Sequence, residues 1–285
     1  MKRVLLVLLL AGLPAGAAEH RAPDPVSARL CDALQGVPER RKAECCTTTP
    51  ARGLATECTD ELAASRASNA IAVDARDVDR CAADTARALE RCDWVTPYLP
   101  PPPASCKSIL HGRLDAGATC RSSLECRDGL RCAGTRCVAP GEPGAPCSGA
   151  PDPLATITRQ TDDARHPECT GYCFRGRCAA PVAVGGDCSA DPQCVAGSHC
   201  AARRCVAGSR PALGEPCAGA SCADGLGCVA GTCVEPKANG EACTQPSDCR
   251  ATCLGAAPDH PGTCGTRCSA WPPAGYTPPV ASATP

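Results

Sequence analysis

The sequence predicts small disulfide-rich modules in tandem, built from short β-hairpins with little helix and preceded by a small α-helical segment stapled by cysteines. Three observations predict this fold class. The chain has 28 cysteines among 285 residues. It has few large apolar side chains. A pattern of four cysteines with a preceding glycine recurs along its second half.

The composition indicates that disulfides, rather than one large core, hold the fold. The chain has one Phe, one Met, two Trp and three Tyr, whereas a large core buries many such side chains at roughly 1.5–3 kcal/mol each. A disulfide that closes a loop of about 15 residues stabilises by roughly 3 kcal/mol. A high cysteine density is typical of proteins in oxidising compartments. We therefore expect all the cysteines to be paired.

The repeated unit is clearest from Gly185 to Val206, GGDCSADPQCVAGSHCAARRCV. Its period is about 26 to 29 residues, as in an array of small units. The second copy has an insertion, Ser148 to Glu168, after its first cysteine, and the fifth has an enlarged last loop. The cysteines of the five copies are Cys120, Cys126, Cys132 and Cys137; Cys147, Cys169, Cys173 and Cys178; Cys188, Cys194, Cys200 and Cys205; Cys217, Cys222, Cys228 and Cys233; and Cys243, Cys249, Cys253 and Cys264.

Turn residues inside the copies predict two-stranded hairpins. Gly134, Gly176 and Gly231 lie between the third and fourth cysteines, where a tight hairpin needs positive φ. Four cysteines allow three pairings. We favour the first with the third and the second with the fourth, because crossed bridges enclose more chain, although the spacing leaves the other pairings open.

The N-terminus indicates secretion. Residues 1–18 combine Lys2 and Arg3 with the apolar run Val4 to Leu13 and small residues at the end, which is typical of a signal peptide. The apolar run is short for a bilayer span, and it is not followed by a cysteine that could carry a lipid. We expect a secreted protein, extracellular or periplasmic, without a membrane anchor.

Residues 19–99 are expected to form a helical, cysteine-containing segment. Asp24-Pro25, Thr49-Pro50 and Asp74 are predicted helix starts, because each offers a capping side chain or a proline suited to the first turn. Cys45 and Cys46 are adjacent and would point about 100° apart on a helix, so they should pair with different neighbours. The six cysteines of this segment are Cys31, Cys45, Cys46, Cys58, Cys81 and Cys92.

The remaining boundaries follow from composition. Residues 100–105 begin with four prolines and are predicted to be a stiff spacer. The five repeats occupy 106–268, and the proline-rich tail 269–285 is expected to be disordered. Cys106 and Cys268 flank the array. They would pair with each other if every other unit closes internally; alternatively Cys106 joins the helical segment or first repeat, and Cys268 exchanges with Cys264 in the fifth.

Charge and motifs argue against several functions. Removing residues 1–18 leaves 27 basic and 30 acidic residues, a net charge of about −3, whereas nucleic-acid binders are usually basic. The cysteines lack the C-x2-C spacing of zinc sites. Catalytic motifs such as H-E-x-x-H are missing, and we expect the five histidines to lie on the surface. We expect no cofactor, no metal site and no enzymatic activity.

The repeats resemble the Dickkopf N-terminal cysteine-rich domain and related EB-like modules. The resemblance is carried by G-x-x-C, by a polar residue before the second cysteine (Glu125, Gln193 and Asp248) and by Gly-x-x-Cys before the third, and it covers residues 106–268. The same motif recurs in secreted bacterial cysteine-rich proteins. The resemblance implies an extracellular disulfide module.

Two functional hypotheses follow. The first is a secreted, non-enzymatic scaffold or binding protein for an extracellular protein or glycan. The alternative is a secreted inhibitor of hydrolases such as proteases, because rigid loops bind at a lower entropic cost. The insertion Ser148 to Glu168 is interpreted as a tolerated surface loop or, alternatively, as a recognition loop.

Overall fold

The computed structural model describes residues 24–50, 53–96, 98–160, 165–217, 221–257 and 259–268. The predicted signal peptide, residues 1–18, and the predicted disordered tail, residues 269–285, lie outside these ranges. Within them, no helix is long and apolar enough to cross a membrane. The fold has little helix, many short antiparallel hairpins and 14 disulfides, as the sequence predicts.

The chain begins with one continuous helical stretch. Helix α1, Pro25–Cys31, passes through a π-helical turn, Asp32–Gly36, into α2, Val37–Cys46. The Asp24 carboxylate accepts a hydrogen bond from the Ser27 N–H at 3.0 Å, so the predicted start at Asp24-Pro25 is confirmed. Thr47 ends α2 in the left-handed conformation, with φ 52°.

Two further helices complete a helical head, which we define as α1 to α4 with the 3-10 turn Ala104–Cys106. Helix α3 is Ala55–Ala67 and α4 is Ala75–Ala88. Asp74 caps α4 through the Arg76 N–H at 2.8 Å, as predicted. The predicted start at Thr49-Pro50 is wrong, because α3 begins at Ala55. Its buried face begins with Cys58, so packing against α1 rather than local capping sets where it starts.

The main hydrophobic core lies in this head but extends beyond it. Ile109 and Leu110 lie in it, just after the predicted spacer, together with Leu124 of the first repeat and Leu154 of the insertion. Leu154 is 6% exposed. The buried members are Leu30, Cys31, Ala33, Leu34, Cys58, Leu62, Ile71, Val78, Cys81, Cys106, Ile109, Leu110, Leu124 and Leu154. The first repeat and the insertion are therefore docked on the head.

The proline run packs against the head instead of holding it away from the repeats. Pro100 to Pro103, with Leu34 and Trp94, line a cavity of about 60 Å³. The Arg159 guanidinium donates to the carbonyl oxygen of Leu34 at 2.9 Å and to that of Pro100. The run is extended, as its composition indicates, and the head covers one side of it.

Short antiparallel strands form the rest of the fold, and each repeat carries one hairpin. The third and fourth cysteines are directly opposite each other in every repeat hairpin, for example Cys132 and Cys137. The strand pairs are β1 Ile71–Ala72 with β2 His111–Gly112; β3 Arg131–Ala133 with β4 Arg136–Val138; β5 Tyr172–Phe174 with β6 Arg177–Ala179; β7 Ser198–Ala201 with β8 Arg204–Ala207; β9 Gly227–Val229 with β10 Thr232–Val234; and β13 Gly262–Gly265 with both β11 Ala242–Cys243 and β12 Thr252–Leu254.

The hairpins of the first four repeats turn through two residues that both have positive φ, which is the type I′ geometry. Gly134, Gly176 and Gly231 occupy such positions, as the sequence predicts. The third repeat has no glycine there, and Ala202 and Arg203 take φ of 46° and 66°. This conformation costs roughly 1–2 kcal/mol for each residue that is not glycine.

The first half of the insertion in the second repeat contributes Leu154 to the core. The two interpretations of the insertion, as a tolerated surface loop and as a recognition loop, are therefore both wrong for this half. It forms a short helix, α5, Pro153–Ile157. The side-chain amide of Gln35 donates to the Ile157 carbonyl oxygen at 2.6 Å, and that of Gln160 donates to the Cys106 carbonyl oxygen at 2.6 Å. The insertion thus ties the second repeat to the head, and we call its helix α5 the strap.

The far end of the array returns to the head. Cys268 is bonded to Cys46 at the end of α2. Beside this bridge, Arg250 forms an ion pair with Asp93 at 2.9 Å, and the Arg267 N–H donates to the Val95 carbonyl oxygen at 3.1 Å. We call these three contacts the closure. They join the two ends of the array through the head.

Candidate functional site

All 28 cysteines lie within the described ranges and all are paired. Each repeat joins its first cysteine to its third and its second to its fourth, so the favoured crossed pairing is confirmed in all five copies. The repeat disulfides are Cys120–Cys132, Cys126–Cys137, Cys147–Cys173, Cys169–Cys178, Cys188–Cys200, Cys194–Cys205, Cys217–Cys228, Cys222–Cys233, Cys243–Cys253 and Cys249–Cys264.

Two of the four remaining disulfides differ from the expectation that the helical segment closes internally. Cys31–Cys58 and Cys45–Cys92 close inside residues 19–99, whereas Cys81–Cys106 and Cys46–Cys268 leave that segment. The pairing of Cys106 with Cys268 is therefore wrong, and so is the exchange of Cys268 with Cys264. The alternative that sends Cys106 into the helical segment is confirmed. The turn Ala104–Cys106 packs on α4 and brings the α-carbons of Cys106 and Cys81 to 4.6 Å.

The polar residue before the second cysteine has a structural role. Its side chain accepts a hydrogen bond from the N–H of the residue that follows the first cysteine, at 2.6–2.8 Å. The pairs are Glu125 with Arg121, Glu168 with Ser148, Gln193 with Ser189, and Asp248 with Thr244. Glu168 keeps this contact across the whole insertion. The motif that carries the sequence resemblance is thus a turn-closing acceptor.

These hydrogen bonds favour the ionised acids. The Thr244 N–H is the main cause of a lowered pKa for the Asp248 carboxyl, which burial opposes. Burial alone would raise the pKa of Glu168, but hydrogen bonds from the Ser148 and Gly149 N–H groups outweigh it and lower that pKa. A carboxylate that accepts several backbone N–H groups is stabilised in its charged form.

A second repeated contact was not found from the sequence. In the first three repeats, an arginine directly before the fourth cysteine donates to the carbonyl oxygen of the glycine that opens the repeat. The pairs are Arg136 with Gly117 at 2.8 Å, Arg177 with Gly144 at 2.8 Å, and Arg204 with Gly185 at 2.7 Å. The opening glycine has positive φ in each case, which explains the G-x-x-C pattern. The arginine at a fixed offset was the signal available in the sequence.

The sulfur atoms come close enough together to resemble metal sites. In the first repeat, for example, the Sγ atoms of Cys120, Cys126 and Cys137 lie within 4.8 Å of one another. Each of these sulfurs is bonded to another sulfur, whereas a metal is bound by the thiolate. The clusters therefore reflect the crossed disulfides, and the cysteines act as structural crosslinks.

Two histidines are buried, contrary to the expectation that histidines lie on the surface. His166 and His199 are each 7% exposed. Their Nδ1 atoms lie 2.8 Å from the Leu130 carbonyl oxygen and 2.9 Å from that of Gly208. Both therefore pack as polar links between neighbouring loops.

The hairpin β5–β6 of the second repeat exposes an aromatic surface. Because side chains alternate along a strand, Tyr172 and Phe174 lie on the face opposite Cys173. Phe174, the one phenylalanine of the chain, is 49% exposed. Its ring centroid is 6.3 Å from that of Tyr172, in an edge-to-face arrangement. The Arg175 guanidinium carbon lies 5.0 Å from the Phe174 centroid. We call Tyr172, Phe174 and Arg175 the aromatic tip.

The aromatic tip is held by its backbone as well as by its disulfides. Arg175 has φ of 50° and precedes Gly176 in the turn. The crosslinks Cys147–Cys173 and Cys169–Cys178 fix the two strands behind it. Equivalent positions to Phe174 in the other hairpins hold small or aliphatic side chains: Ala133, Ala201, Val229 and Leu254. The exposed Phe174 ring, beside the half-buried Tyr172, therefore distinguishes the second repeat.

A concave region with a volume of about 630 Å³ lies between the fourth and fifth repeats. Leu226, Pro236 and Ser247 contribute to its wall, and its lining carries Glu235 and Arg250 as ionisable side chains. Arg250 is already engaged with Asp93 in the closure. This groove is therefore a junction between repeats.

Comparison of the chain with protein-family models, with curated proteins and with solved structures finds no match.

Proposed function

We propose that this protein is a non-enzymatic extracellular binding protein and that the aromatic tip is its recognition surface. The density of disulfides is typical of an oxidising compartment, extracellular or periplasmic. The resemblance of the repeats to Dickkopf-like modules supports the same class. The observation that carries the proposal is the solvent exposure of Phe174 beside Arg175.

The chemistry of the aromatic tip favours a protein partner, with a glycan as the second candidate. Aromatic and arginine side chains are enriched among the residues that dominate binding energy at protein interfaces. The crosslinked hairpin holds these side chains before binding, which lowers the entropic cost of association. An exposed arginine–aromatic contact contributes about 0.5–1 kcal/mol by itself. A partner that replaces the contact between Arg175 and Phe174 therefore gives up little free energy.

The turn geometry favours this function over inhibition of proteases. An inhibitor that mimics a substrate presents an extended segment, whereas Arg175, Ala202 and Arg203 at the hairpin turns have positive φ. A panel of proteases assayed with the purified protein would reveal inhibition if another loop supplies it.

The test is capture of partners from the native extracellular medium by the immobilised protein. The variant Phe174→Thr with Arg175→Asn removes the two exposed side chains of the aromatic tip and keeps the hairpin, because Asn-Gly is the preferred type I′ turn. We expect the captured partner to bind this variant at least tenfold more weakly, since truncation of a central interface residue costs about 2 kcal/mol or more.

The matched control is Ala230→Asn, which creates the same Asn-Gly turn in the fourth repeat, with Gly231. It should bind as the unmodified protein does. Equal binding by all three proteins would refute the aromatic tip as the recognition surface. Treatment of the captured fraction with a protease or with glycosidases distinguishes a protein partner from a glycan.

A further inference from the structure

The disulfide that closes the array differs from the others in its surroundings. Every cysteine of the chain is described, and among them Cys268 alone is exposed. Its partner, Cys46, is partly buried at the end of α2. The sequence separation of this pair is 222 residues, whereas that of the other pairs does not exceed 47. Both features make this crosslink the most accessible and the least supported locally.

The ion pair beside the bridge lies partly in solvent. In the ion pair beside the bridge, the Arg250 side chain is 48% exposed and the Asp93 side chain is 14% exposed. Exposed ion pairs contribute about 0–1 kcal/mol. By comparison, Cys31–Cys58 and Cys81–Cys106 lie in the hydrophobic core, where packing would hold the two thiols together after reduction.

We propose that Cys46–Cys268 is a redox-sensitive latch, which a dithiol reductant opens selectively and so releases the fifth repeat from the head. Exposed disulfides are the ones that are labile and regulatory. Access controls the first step, and the effective concentration of the two thiols controls re-formation. At this bridge, the exposure of Cys268 favours attack by the reductant, and the weak local support disfavours re-formation of the disulfide. The proposal does not depend on the proposed recognition surface.

The dithiol supplies the two electrons and two protons that reduction of the Cys46–Cys268 disulfide requires. One thiolate of the reductant attacks Cys268 Sγ, the bond between Cys268 and Cys46 breaks, and Cys46 leaves as a thiolate that takes up a proton. The second thiol of the reductant then attacks the mixed disulfide. Cys268 is released as a thiol, and the reductant leaves as a cyclic disulfide. Two electrons pass to the protein.

The test is titration of the full-length secreted protein with dithiothreitol, followed by alkylation and peptide mass mapping. We expect Cys46 and Cys268 to be alkylated at dithiothreitol concentrations that leave the other 13 disulfides intact. Small-angle scattering of that species should show a larger radius of gyration. Reduction of any other pair first would overturn the latch. Selective reduction with an unchanged radius of gyration would overturn the opening.

A pair of variants tests whether the closure contacts support the bridge. Arg250→Gln removes the ion pair with Asp93, and we expect half-reduction of the latch at a dithiothreitol concentration about 1.5- to 5-fold lower. Arg210→Gln is the matched control, because Arg210 pairs with Asp191 at 2.6 Å and with Asp224 at 3.5 Å, and neither acid belongs to the closure. Equal shifts in the two variants would refute the role of the Arg250–Asp93 pair in supporting the bridge.

Discussion

The turn of the third repeat should be stabilised by replacing Ala202-Arg203 with Asn-Gly. Both residues have positive φ, 46° and 66°, and each such residue costs roughly 1–2 kcal/mol. Asn tolerates this conformation and glycine adopts it freely. Glycine also loses about 0.5–1 kcal/mol of backbone entropy on folding, so we expect a net gain of about 1–2 kcal/mol for the double variant.

Amide hydrogen exchange measures this gain locally, while the disulfides stay intact. The Cys188 N–H donates to the Arg203 carbonyl oxygen at 3.0 Å, and the Cys205 N–H donates to that of Gly186 at 2.9 Å. Because about 1.4 kcal/mol changes an opening equilibrium tenfold, exchange of these two amides should slow by about five- to thirtyfold.

The matched control, Gly231→Ala, should destabilise the corresponding turn of the fourth repeat. Gly231 has φ of 81°, and a Cβ added there would meet nothing within 4 Å. Gly231→Ala therefore adds backbone strain alone, and we expect the Cys217 amide, which donates to the Gly231 carbonyl oxygen, to exchange about fivefold faster or more. Unchanged or faster exchange in the Asn-Gly variant would refute the assignment of strain to the third turn.

Two further predictions concern the strap and the turn-closing acids. Leu154→Ala should lower the free energy of unfolding of the head by about 2–5 kcal/mol, measured by urea denaturation monitored by circular dichroism, whereas Thr156→Ala, at an exposed position on the same helix, should cost less than about 1 kcal/mol. The lowered pKa of Asp248 and of Glu168 gives stability that is present above the unfolded-state pKa, near 4, and is lost as the pH falls through the lower folded-state pKa. The melting temperature should therefore fall as the pH is lowered below about 4, and Asp248→Asn should weaken this dependence; a pH dependence that is the same with Asn would contradict the role of the Thr244 hydrogen bonds.

The repeat modules could be predicted from the sequence because their information is local. The third and fourth cysteines face each other across a two-residue turn, and each bonds a cysteine outside the hairpin. The crossed pairing is favoured because it encloses more chain, although the spacing leaves the other pairings open. The acceptor role of Glu168 is not local, because the insertion separates Glu168 from Ser148 in the sequence.

The closure could not be predicted, because it depends on the path of the whole array. Adjacent Cys45 and Cys46 indicated two different partners, but nothing near either residue specifies Cys268. The strap could have been found: Asp152-Pro153 repeats the helix-start signal of Asp24-Pro25, and Asp152 does cap α5 through the Ala155 N–H at 3.0 Å. The composition of the insertion, rich in polar residues, concealed the single leucine that enters the core.

The most direct test of the architecture is peptide mapping of the secreted protein without reduction. The structure predicts a peptide with Cys46 linked to one with Cys268, and a peptide with Cys106 linked to one with Cys81. Each of the five repeats should give only links among its own four cysteines. A direct link between Cys106 and Cys268 would contradict the closure of the array on the helical head.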